Sequence, residues 1–385
     1  MEPMLPQESS LGELNDMALD LTAKSEKLSG QINPVLQTSL GDLVRSMNCY
    51  YSNFIEGHNT LPRDIDRALN DKYDADPKKR NLQKEARAHI EVQRLIDARA
   101  WGQEVVSADF IKWVHREFQS RLPEEMLWIE NPDTGEKKKV IPGEYRDGEV
   151  SVGRHIPVLS EGIARFMGRF EEAYNPQRLG RLKSISAVAA SHHRLLWIHP
   201  FYDGNGRVTR LFSHAFLQSL GIGSSLWSVS RGLARKKETY KELLMAADSP
   251  RQGDRDGRGS LSEETLIKFS KFFLDICIDQ VEYMASLLEP KEFLNRMSIY
   301  LEEEIRSGRL HKGSMPLLKE AFVFGEFDRG KAPEITGYQP RQASAVLSQL
   351  TNAGLLVSDT PRGAVRLGFP IDIVERWFPK LYPQV

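Results

Sequence analysis

Two apolar helical stretches joined by a short polar segment constrain the fold of this chain more than any other feature. Apolar residues recur at helical spacing over 184–198 and again over 206–220. Pro200 ends the first helix, because the residue before a proline is forced out of the helical backbone region. A Gly-Asn-Gly run at 204–206 then turns the chain sharply. The sequence therefore predicts a mainly helical protein with a tight loop between two packed helices.

The loop and the start of the second helix carry residues suited to a polyphosphate. The glycines let backbone N–H groups converge ahead of a helix N-terminus, which forms an anion cradle. Arg207 and Arg210 are three residues apart, so both guanidinium groups can face one anion. Asp203 alone would repel phosphates, but it becomes a hard oxygen ligand when Mg²⁺ bridges them. His199, with an ordinary pKa of about 6.5, suits a general base, so the set predicts transfer of part of a nucleotide.

Residues 199–210, HPFYDGNGRVTR, resemble the signature H-P-F-x-[DE]-G-N-G-R-x-x-R of the Fic (filamentation induced by cAMP) domain family. The resemblance implies a protein adenylyltransferase that uses ATP and Mg²⁺: a hydroxyl of a target protein receives AMP, and pyrophosphate leaves. Kinase-like relatives replace the second glycine of the run with lysine, so Gly206 favours AMP transfer. The implied roles are a base at His199, a Mg²⁺ ligand at Asp203, a cradle for the α- and β-phosphates at Gly204, Asn205 and Gly206, a β-phosphate contact at Arg207 and a γ-phosphate contact at Arg210.

A second motif strengthens the resemblance. Some Fic proteins carry an inhibitory helix with the pattern [ST]-x-x-x-E-[GN], which Ser52 to Gly57 (SNFIEG) matches at the end of an amphipathic helix predicted over 35–57. Glu56 would pair with Arg210 in the place of the γ-phosphate, so that ATP could bind only out of line for attack. In some relatives such a glutamate helps water to remove AMP from a modified target. Removal of AMP by the same site is therefore an alternative function.

A glycine-rich segment at about 137–157 is predicted to form a β-hairpin that turns at 146–148. It fits the flap of the family, which aligns an extended target segment by strand addition. Two further sets of residues match family positions. They are Gly143, Tyr145 and Arg146 at the entrance of the flap, and Tyr240 and Leu243 where relatives line the adenine pocket.

Beyond residue 310 the pattern of helix, turn, helix and hairpin predicts a small α+β winged helix-turn-helix domain. Helices are expected over 315–324 and 339–353, with a turn at 333–337. A DNA-binding regulator is therefore a second hypothesis, although nine Lys and Arg against seven Asp and Glu give this region only a weak positive charge. The residues predicted to reach DNA are Gln339, Arg341, Gln342, Ser344 and Gln349 on the second helix and Arg362 and Arg366 on the wing.

Composition sets the outer limits of the prediction. The 385 residues have a net charge of -1, which argues against a nucleic-acid binder over its whole surface. The chain has 2 cysteines, which excludes a disulfide framework and a cysteine zinc site. We expect a cytoplasmic protein without a membrane partner, because neither a signal peptide nor ~18 consecutive apolar residues are found. The predicted regions are an N-terminal helical region (1–110), a Fic core (111–290) and a winged-helix domain (291–385), and self-association as a homodimer stays open.

Overall fold

Helices make up most of the protein, as the sequence predicts. The structure is a computed structural model that describes residues 1–102, 104–130, 135–223 and 225–382. Its helices are α1 (Gly12–Gln31), α2 (Pro34–Glu56), α3 (Pro62–Leu69), α4 (Pro77–Asp97), α5 (Ala108–Gln119), α6 (Ile163–Tyr174), α7 (Pro176–Leu179), α8 (Arg181–Ile198), α9 (Asn205–Ser219), α10 (Val229–Arg235), α11 (Lys237–Ala246), α12 (Glu263–Leu287), α13 (Pro290–Arg306), α14 (Ser314–Phe324), α15 (Ala332–Thr336), α16 (Pro340–Asn352) and α17 (Ile371–Trp377). Its strands are β1 (Trp128–Glu130), β2 (Lys137–Lys139), β3 (Glu326–Phe327), β4 (Leu356–Val357) and β5 (Val365–Leu367).

Local sequence signals set the helix ends. The Ser107 hydroxyl accepts a hydrogen bond from the Phe110 amide at 3.1 Å, so Ser107 caps α5 as its sequence position predicts. Prolines occupy the first turn of α3, α4, α13 and α16, where a missing N–H is tolerated. Gly57 follows α2 with φ 89°, a left-handed conformation that glycine adopts without strain.

Contacts divide the chain into two compact units. The first comprises residues 1–26 and 48–281, and the second comprises residues 27–47 and 282–385. In the first unit, α9 packs against α4, α5, α8 and α10, and α8 also packs against α6 and α7. Most residues of α8 and α9 are buried, as expected for helices that other helices surround. The domain boundaries given above stay a prediction.

The β-hairpin lies earlier in the chain than predicted. β1 pairs antiparallel with β2, and Trp128 lies opposite Lys139. The described segment 144–157 contains no strand, and its only ladder contact is a single bridge between Val152 and His155. The predicted turn at 146–148 was therefore wrong as a strand-to-strand connection. The Arg146 amide donates instead to the Pro200 carbonyl in the loop after α8, and the Gly148 carbonyl accepts from the Arg146 side chain, so these two groups are not available to a partner strand.

The second unit contains helices and one small antiparallel sheet in the order β3-β5-β4. Leu356 lies opposite Leu367, and Phe327 opposite Val365. The predicted helices over 315–324 and 339–353 are confirmed as α14 and α16 within a residue at each end. The predicted turn at 333–337 is wrong, because the short helix α15 occupies most of it and Gly337, with φ 70°, ends that helix.

The first residues of the chain pack inside the first unit, to which they belong. Met1 and Met4 are buried. The Pro3 carbonyl accepts two hydrogen bonds from the Arg194 guanidinium, and the Met4 carbonyl accepts one from the Tyr174 hydroxyl. Within the described residues, no helix is long and apolar enough to cross a membrane.

Candidate active site

The loop between α8 and α9 is fixed at both ends and across its middle. His199 takes a left-handed conformation (φ 52°) directly after α8, and Gly204 (φ 81°) precedes α9. The Asn205 side chain donates from Nδ2 to the Phe201 carbonyl at 2.8 Å and accepts at Oδ1 from the Phe201 amide at 3.0 Å. The loop conformation is therefore fixed by the side chain of Asn205, the first residue of α9.

The start of α9 has the properties of an anion site. The first N–H groups of a helix have no partner within the helix and lie at the positive end of its dipole. The two glycines of the predicted cradle lie where a Cβ would come close to other side chains. A Cβ on Gly204 would combine left-handed strain with a 2.9 Å approach to Gln119 Nε2, and a Cβ on Gly206 would overlap Glu56 Oε1. The absence of a side chain at Gly206 leaves the space beside its backbone that the Glu56 carboxylate occupies.

Arg207 is held between two carboxylates. Its Nη1 donates to Glu85 Oε1 at 2.6 Å, and its Nη2 donates to Asp203 Oδ2 at 3.0 Å. The guanidinium carbon also lies 5.0 Å from the centre of the Phe118 ring. Burial alone would lower the pKa of Arg207, but the charges of Glu85 and Asp203 outweigh burial and raise it. The guanidinium therefore stays charged although it is almost fully enclosed.

Arg210 contacts the predicted inhibitory motif. Its Nη2 donates to Glu56 Oε1 at 2.5 Å, and its Nε donates to the Ser52 hydroxyl at 2.9 Å. The Ser52 carbonyl accepts a further bond from Nη2 at 3.2 Å. Burial works to raise the pKa of Glu56, but the charges of Arg210 and Arg207 outweigh it and hold this pKa below the usual range. Glu56 is thus an ionised group bound to the arginine that the family signature assigns to the γ-phosphate.

His199 lies in an enclosed position beside the same loop. Burial lowers the pKa of His199 to about 4, with a smaller opposing effect from its bond to the Leu196 backbone. Its ring is therefore neutral at pH values near 7 and can accept a proton. The His199 carbonyl accepts a hydrogen bond from Arg146 Nε at 2.9 Å, and the Pro200 carbonyl accepts one from the Arg146 amide at 3.0 Å. Arg146 thus fixes the backbone on which the candidate base is carried.

Helix α5 supports the loop from its other side. The His115 ring stacks on Phe201 with a centroid separation of 3.8 Å and an angle of 1°. His115 Nδ1 accepts a hydrogen bond from the Gly143 amide at 2.9 Å, and burial lowers the pKa of His115 to about 4. Gln119, one turn later, is fully buried next to Gly204. His115 and Gln119 carry no motif, and sequence reasoning missed both.

The three predicted flap residues have different environments. Gly143 (φ 82°) passes close to α5, where a Cβ would meet Arg116 Cβ at 3.0 Å. The Tyr145 ring lies 5.9 Å from Phe201, and the ammonium of Lys112 lies over it. The Arg146 side chain has no solvent exposure and bonds to main-chain carbonyls. The apolar side chains that reach solvent in this segment are those of Ile141, Val152, Ile156 and Leu159.

Tyr240 and Leu243 lie on α11. Tyr240 is buried, and its hydroxyl pairs with His192 Nε2 at 2.8 Å. Burial raises the pKa of Tyr240 to about 12, and the charges of Arg210 and Glu56 act on it from nearby. Leu243 is half-buried one turn further along the helix. Their assignment to an adenine pocket stays a prediction.

The structure brings together six of the predicted residues: Ser52, Glu56, Asp203, Gly206, Arg207 and Arg210. His199 lies at the start of the same loop, and Arg146 bonds to its carbonyl. Sequence reasoning missed Glu85, although a signal was present. Glu85, His89 and Gln93 recur at a spacing of four on the buried face of α4. Polar residues at core-facing positions of a helix indicate a polar partner inside the protein.

The donor set near α9 suits Mg²⁺ held together with phosphates. Among residues 1–102, 104–130, 135–223 and 225–382, no group of three or more His, Cys, Asp or Glu could hold a metal ion by itself. Mg²⁺ characteristically uses one or two protein carboxylates together with substrate phosphates and water. Asp203 is 40% exposed and lies next to the helix start, so its carboxylate fits this role.

Comparison with known proteins finds similar sequences. Residues 105–217 match the Fic/DOC family. The "Protein adenylyltransferase Fic" of Drosophila erecta is 28% identical over 143 residues, which cover 36% of this chain and 29% of that protein. The same named protein of Drosophila mojavensis is 29% identical over 36% of this chain and 28% of its own length. The chain thus aligns with less than a third of the length of these relatives.

Solved structures show the same fold. A Fic family protein from Desulfovibrio desulfuricans G20 superposes with a TM-score of 0.51 over 92% of this chain and 96% of its own, at 16% identity. Fic-1 from C. elegans gives a TM-score of 0.55 over 72% of this chain and 73% of its own, at 14% identity. Residues 105–217 thus match the Fic/DOC family, the fold is a mainly helical Fic fold, and the homology to Fic protein adenylyltransferases is distant.

Proposed function

We propose that this protein transfers AMP from ATP to a hydroxyl side chain of a target protein, and that Glu56 holds the transfer inactive. The observation that carries the proposal is the position of the Glu56 carboxylate. It is bound to Arg210 and lies over Gly206, at the start of α9 where a phosphate would bind. Because the acidic Glu56 side chain occupies an anion site, a nucleotide phosphate must displace it in order to bind there.

The proposed reaction assigns one role to each group. The backbone at 204–206 and Arg207 hold the α- and β-phosphates, and Arg210 takes the γ-phosphate once Glu56 has left. His199 accepts the proton of the target hydroxyl, whose oxygen bonds to the α-phosphorus. The bond from the α-phosphorus to the oxygen that bridges it to the β-phosphate breaks, and pyrophosphate carries away that electron pair. Catalysis then depends on positioning and on stabilisation of charge.

Asp203 is the residue that would hold Mg²⁺ in this scheme. When bound, the ion supplies charge neutralisation at the phosphate oxygens. Asp203 is ionised, as this role requires. Burial works to raise its pKa, but the charge of Arg207 and the Gly204 amide outweigh burial and lower it. Its present bond to Arg207 must then be weakened or shared.

The target protein would meet the exposed face of residues 141–159. Exposed apolar side chains in this segment include Ile156, at 79% exposure, and Leu159, at 59%. An extended, partly apolar target segment would cover them while its hydroxyl approaches His199. Self-association as a homodimer is a candidate means to displace Glu56.

The test uses ATP labelled at the α-phosphate, with Mg²⁺, and measures label on protein. We compare wild type, Glu56→Gly and Glu56→Gly with His199→Ala. A hydrogen bond between charged groups contributes about 1.5–3 kcal/mol, so loss of the Glu56 contact should raise labelling roughly 10- to 100-fold. The double variant should return to background.

Glu117→Gly is a matched control. Glu117 is also near a helix end, is 26% exposed against 31% for Glu56, and pairs with Arg121 at 2.7 Å rather than with a residue of the loop or of α9. This variant should label like wild type. Equal labelling of wild type and Glu56→Gly, with nucleotide bound in both, would contradict inhibition by Glu56.

Removal of AMP is the alternative reaction of the same site. It would need Glu56 as a base for water, and the lowered pKa of Glu56 makes it a weak one. Incubation of a labelled target with wild type and Glu56→Gly measures this alternative directly. Faster release of label by wild type would favour removal over transfer.

DNA binding through a C-terminal winged helix remains the second prediction. Gln339, Arg341, Gln342 and Ser344 are exposed at the start of α16. Two of the other residues have internal partners: Gln349 bonds to the backbone of His311 and Arg309, and Arg366 bonds to Asp359. Salt-dependent binding of duplex DNA by the full chain would test it.

A further inference from the structure

We propose that Glu85 is a positioning residue that fixes Arg207 for the nucleotide phosphates; the inference rests on the proposed function. Glu85 lies on α4, outside every motif of the catalytic loop. Its side chain has no solvent exposure, and Oε1 is 2.6 Å from Arg207 Nη1. Charge-assisted hydrogen bonds of this kind are short and set the direction of the donor group.

Stability does not explain a carboxylate at this position. Removing a charge from water costs several kcal/mol, and apolar replacements of buried ion pairs are often equally stable or more stable. Glu85 uses only one of its oxygens for hydrogen bonds, and Oε2 is buried with no hydrogen-bond partner within the described residues. A group placed to maximise stability would satisfy both oxygens. The arrangement instead directs a single strong acceptor at one nitrogen of Arg207.

The two anchors of Arg207 differ in what else they can do. Asp203 is 40% exposed and, in the proposed reaction, serves Mg²⁺. Glu85 is fully enclosed and has no such second role. As Asp203 is drawn away, Glu85 and the Phe118 ring still hold one side of the guanidinium. The opposite nitrogen, Nη2, is then free to donate to phosphate without a search through side-chain conformations, which lowers the entropic penalty of binding.

His58 provides a competing explanation that can be tested. Its Nδ1 lies 3.0 Å from the same Glu85 oxygen, and His58 follows Glu56 by two residues. If Glu85 served only to hold the end of the inhibitory helix, its loss in wild type would release Glu56 and raise AMP transfer. If Glu85 acts through Arg207, its loss weakens nucleotide binding even when Glu56 is absent.

The experiment measures affinity for a non-hydrolysable ATP analogue with Mg²⁺ by calorimetry, in the Glu56→Gly background. Glu85→Gln should weaken binding about 10-fold, as is typical for partners that orient a ligand-holding group. Adding Glu85→Gln to Arg207→Gln should cause no further loss beyond about twofold. Glu91→Gln is the matched control, since Glu91 lies on the same helix and pairs with Arg87 and Arg121 at the surface.

A kinetic readout separates positioning from a general loss of structure. The KM for ATP should rise in Glu85→Gln while kcat at saturation changes less, and Glu85→Asp, which keeps the charge, should recover part of the affinity. The Asp variant also serves if the Gln variant does not fold. Unchanged affinity in Glu85→Gln, losses that add to those of Arg207→Gln, or higher transfer by Glu85→Gln in the wild-type background would overturn the inference. If the Glu56→Gly parent binds no ATP, both the proposed function and this inference are wrong. If the parent binds ATP and transfers AMP, the results for Glu85→Gln test the inference alone.

Discussion

Arg146 gives the sharpest test of how the loop is supported. Its buried guanidinium donates to the carbonyls of His199 at 2.9 Å, Gly148 at 2.8 Å and Val158. Glu149, 3.6 Å away, is its counter-charge. Arg146→Met removes all three donors and leaves one buried and two half-buried carbonyls without this partner, at a cost of about 1–3 kcal/mol for a fully buried group. Partial relaxation limits the total, so we expect a loss of about 3–5 kcal/mol in the free energy of unfolding.

The effect on AMP transfer should exceed the effect on folding. A shift of about 1 Å in a reacting group can lower a rate by about 100-fold, and the lost bond to the His199 carbonyl allows such a shift. The assay follows α-phosphate label on protein in the Glu56→Gly background, with urea unfolding of the same samples. Rates are compared per folded molecule. Arg146→Lys keeps the charge but not the fork of donors, so it should fall between Met and the parent.

Arg194→Met is the matched control for Arg146→Met. Arg194 is equally buried, and it too donates to main-chain carbonyls, those of Pro3 and Ala247, which lie outside the loop. It should lose comparable stability while the folded fraction keeps its rate of transfer. If Arg146→Met transfers AMP at the parent rate per folded molecule, or if Arg194→Met loses as much activity, the reasoning is refuted.

Two further predictions concern the anion site and the base. Gly206→Ala should push Glu56 off Arg210 and lower the free energy of unfolding by about 1–3 kcal/mol. Gly168→Ala, in an open helical position, should instead raise the free energy of unfolding by about 0.5–1 kcal/mol. Equal stabilisation by the two substitutions would contradict the overlap between a Cβ at position 206 and Glu56. Because burial favours the neutral form of His199, the rate of AMP transfer by Glu56→Gly should stay level as pH falls from about 8 to about 5. A pH–rate profile with its midpoint at about 6.5 would contradict this, since it would indicate a base with the pKa of an ordinary histidine.

Patterns confined to one helix or one loop could be predicted from the sequence. The helix that carries Glu56 was expected over 35–57 and is found as Pro34–Glu56, and the loop between α8 and α9 lies where Pro200 and the glycine run place it. Helical periodicity and turn residues are local signals, so a single sequence carries them. The pairing of Glu56 with Arg210 was expected only through the family resemblance, since the two residues are 154 positions apart.

Features that depend on partners distant in sequence could not be predicted. The segment after Gly143 has the composition of a hairpin, but Arg146 bonds across 53 positions to the His199 carbonyl and holds the segment against the loop. Glu85 looks like one more charge on a highly charged helix, and only its 2.6 Å contact with Arg207 distinguishes it. Tertiary contacts decided the outcome in both places, against a reasonable local interpretation.

The carboxylates around Arg207 and Arg210 of α9 also affect the electrostatic potential that a distant ligand experiences. Glu85 and Asp203 contact Arg207, and Glu56 contacts Arg210. Three carboxylates therefore face two guanidinium groups while Glu56 is in place. His58, beside Glu85, adds a positive charge only when it is protonated. The three carboxylates and two guanidinium groups together then carry a net negative charge, which weakens the attraction for an approaching polyphosphate. Departure of Glu56 balances the count and removes that net charge. Departure of Glu56 would therefore change the rate of nucleotide capture, most strongly at low ionic strength, where charges act over longer distances.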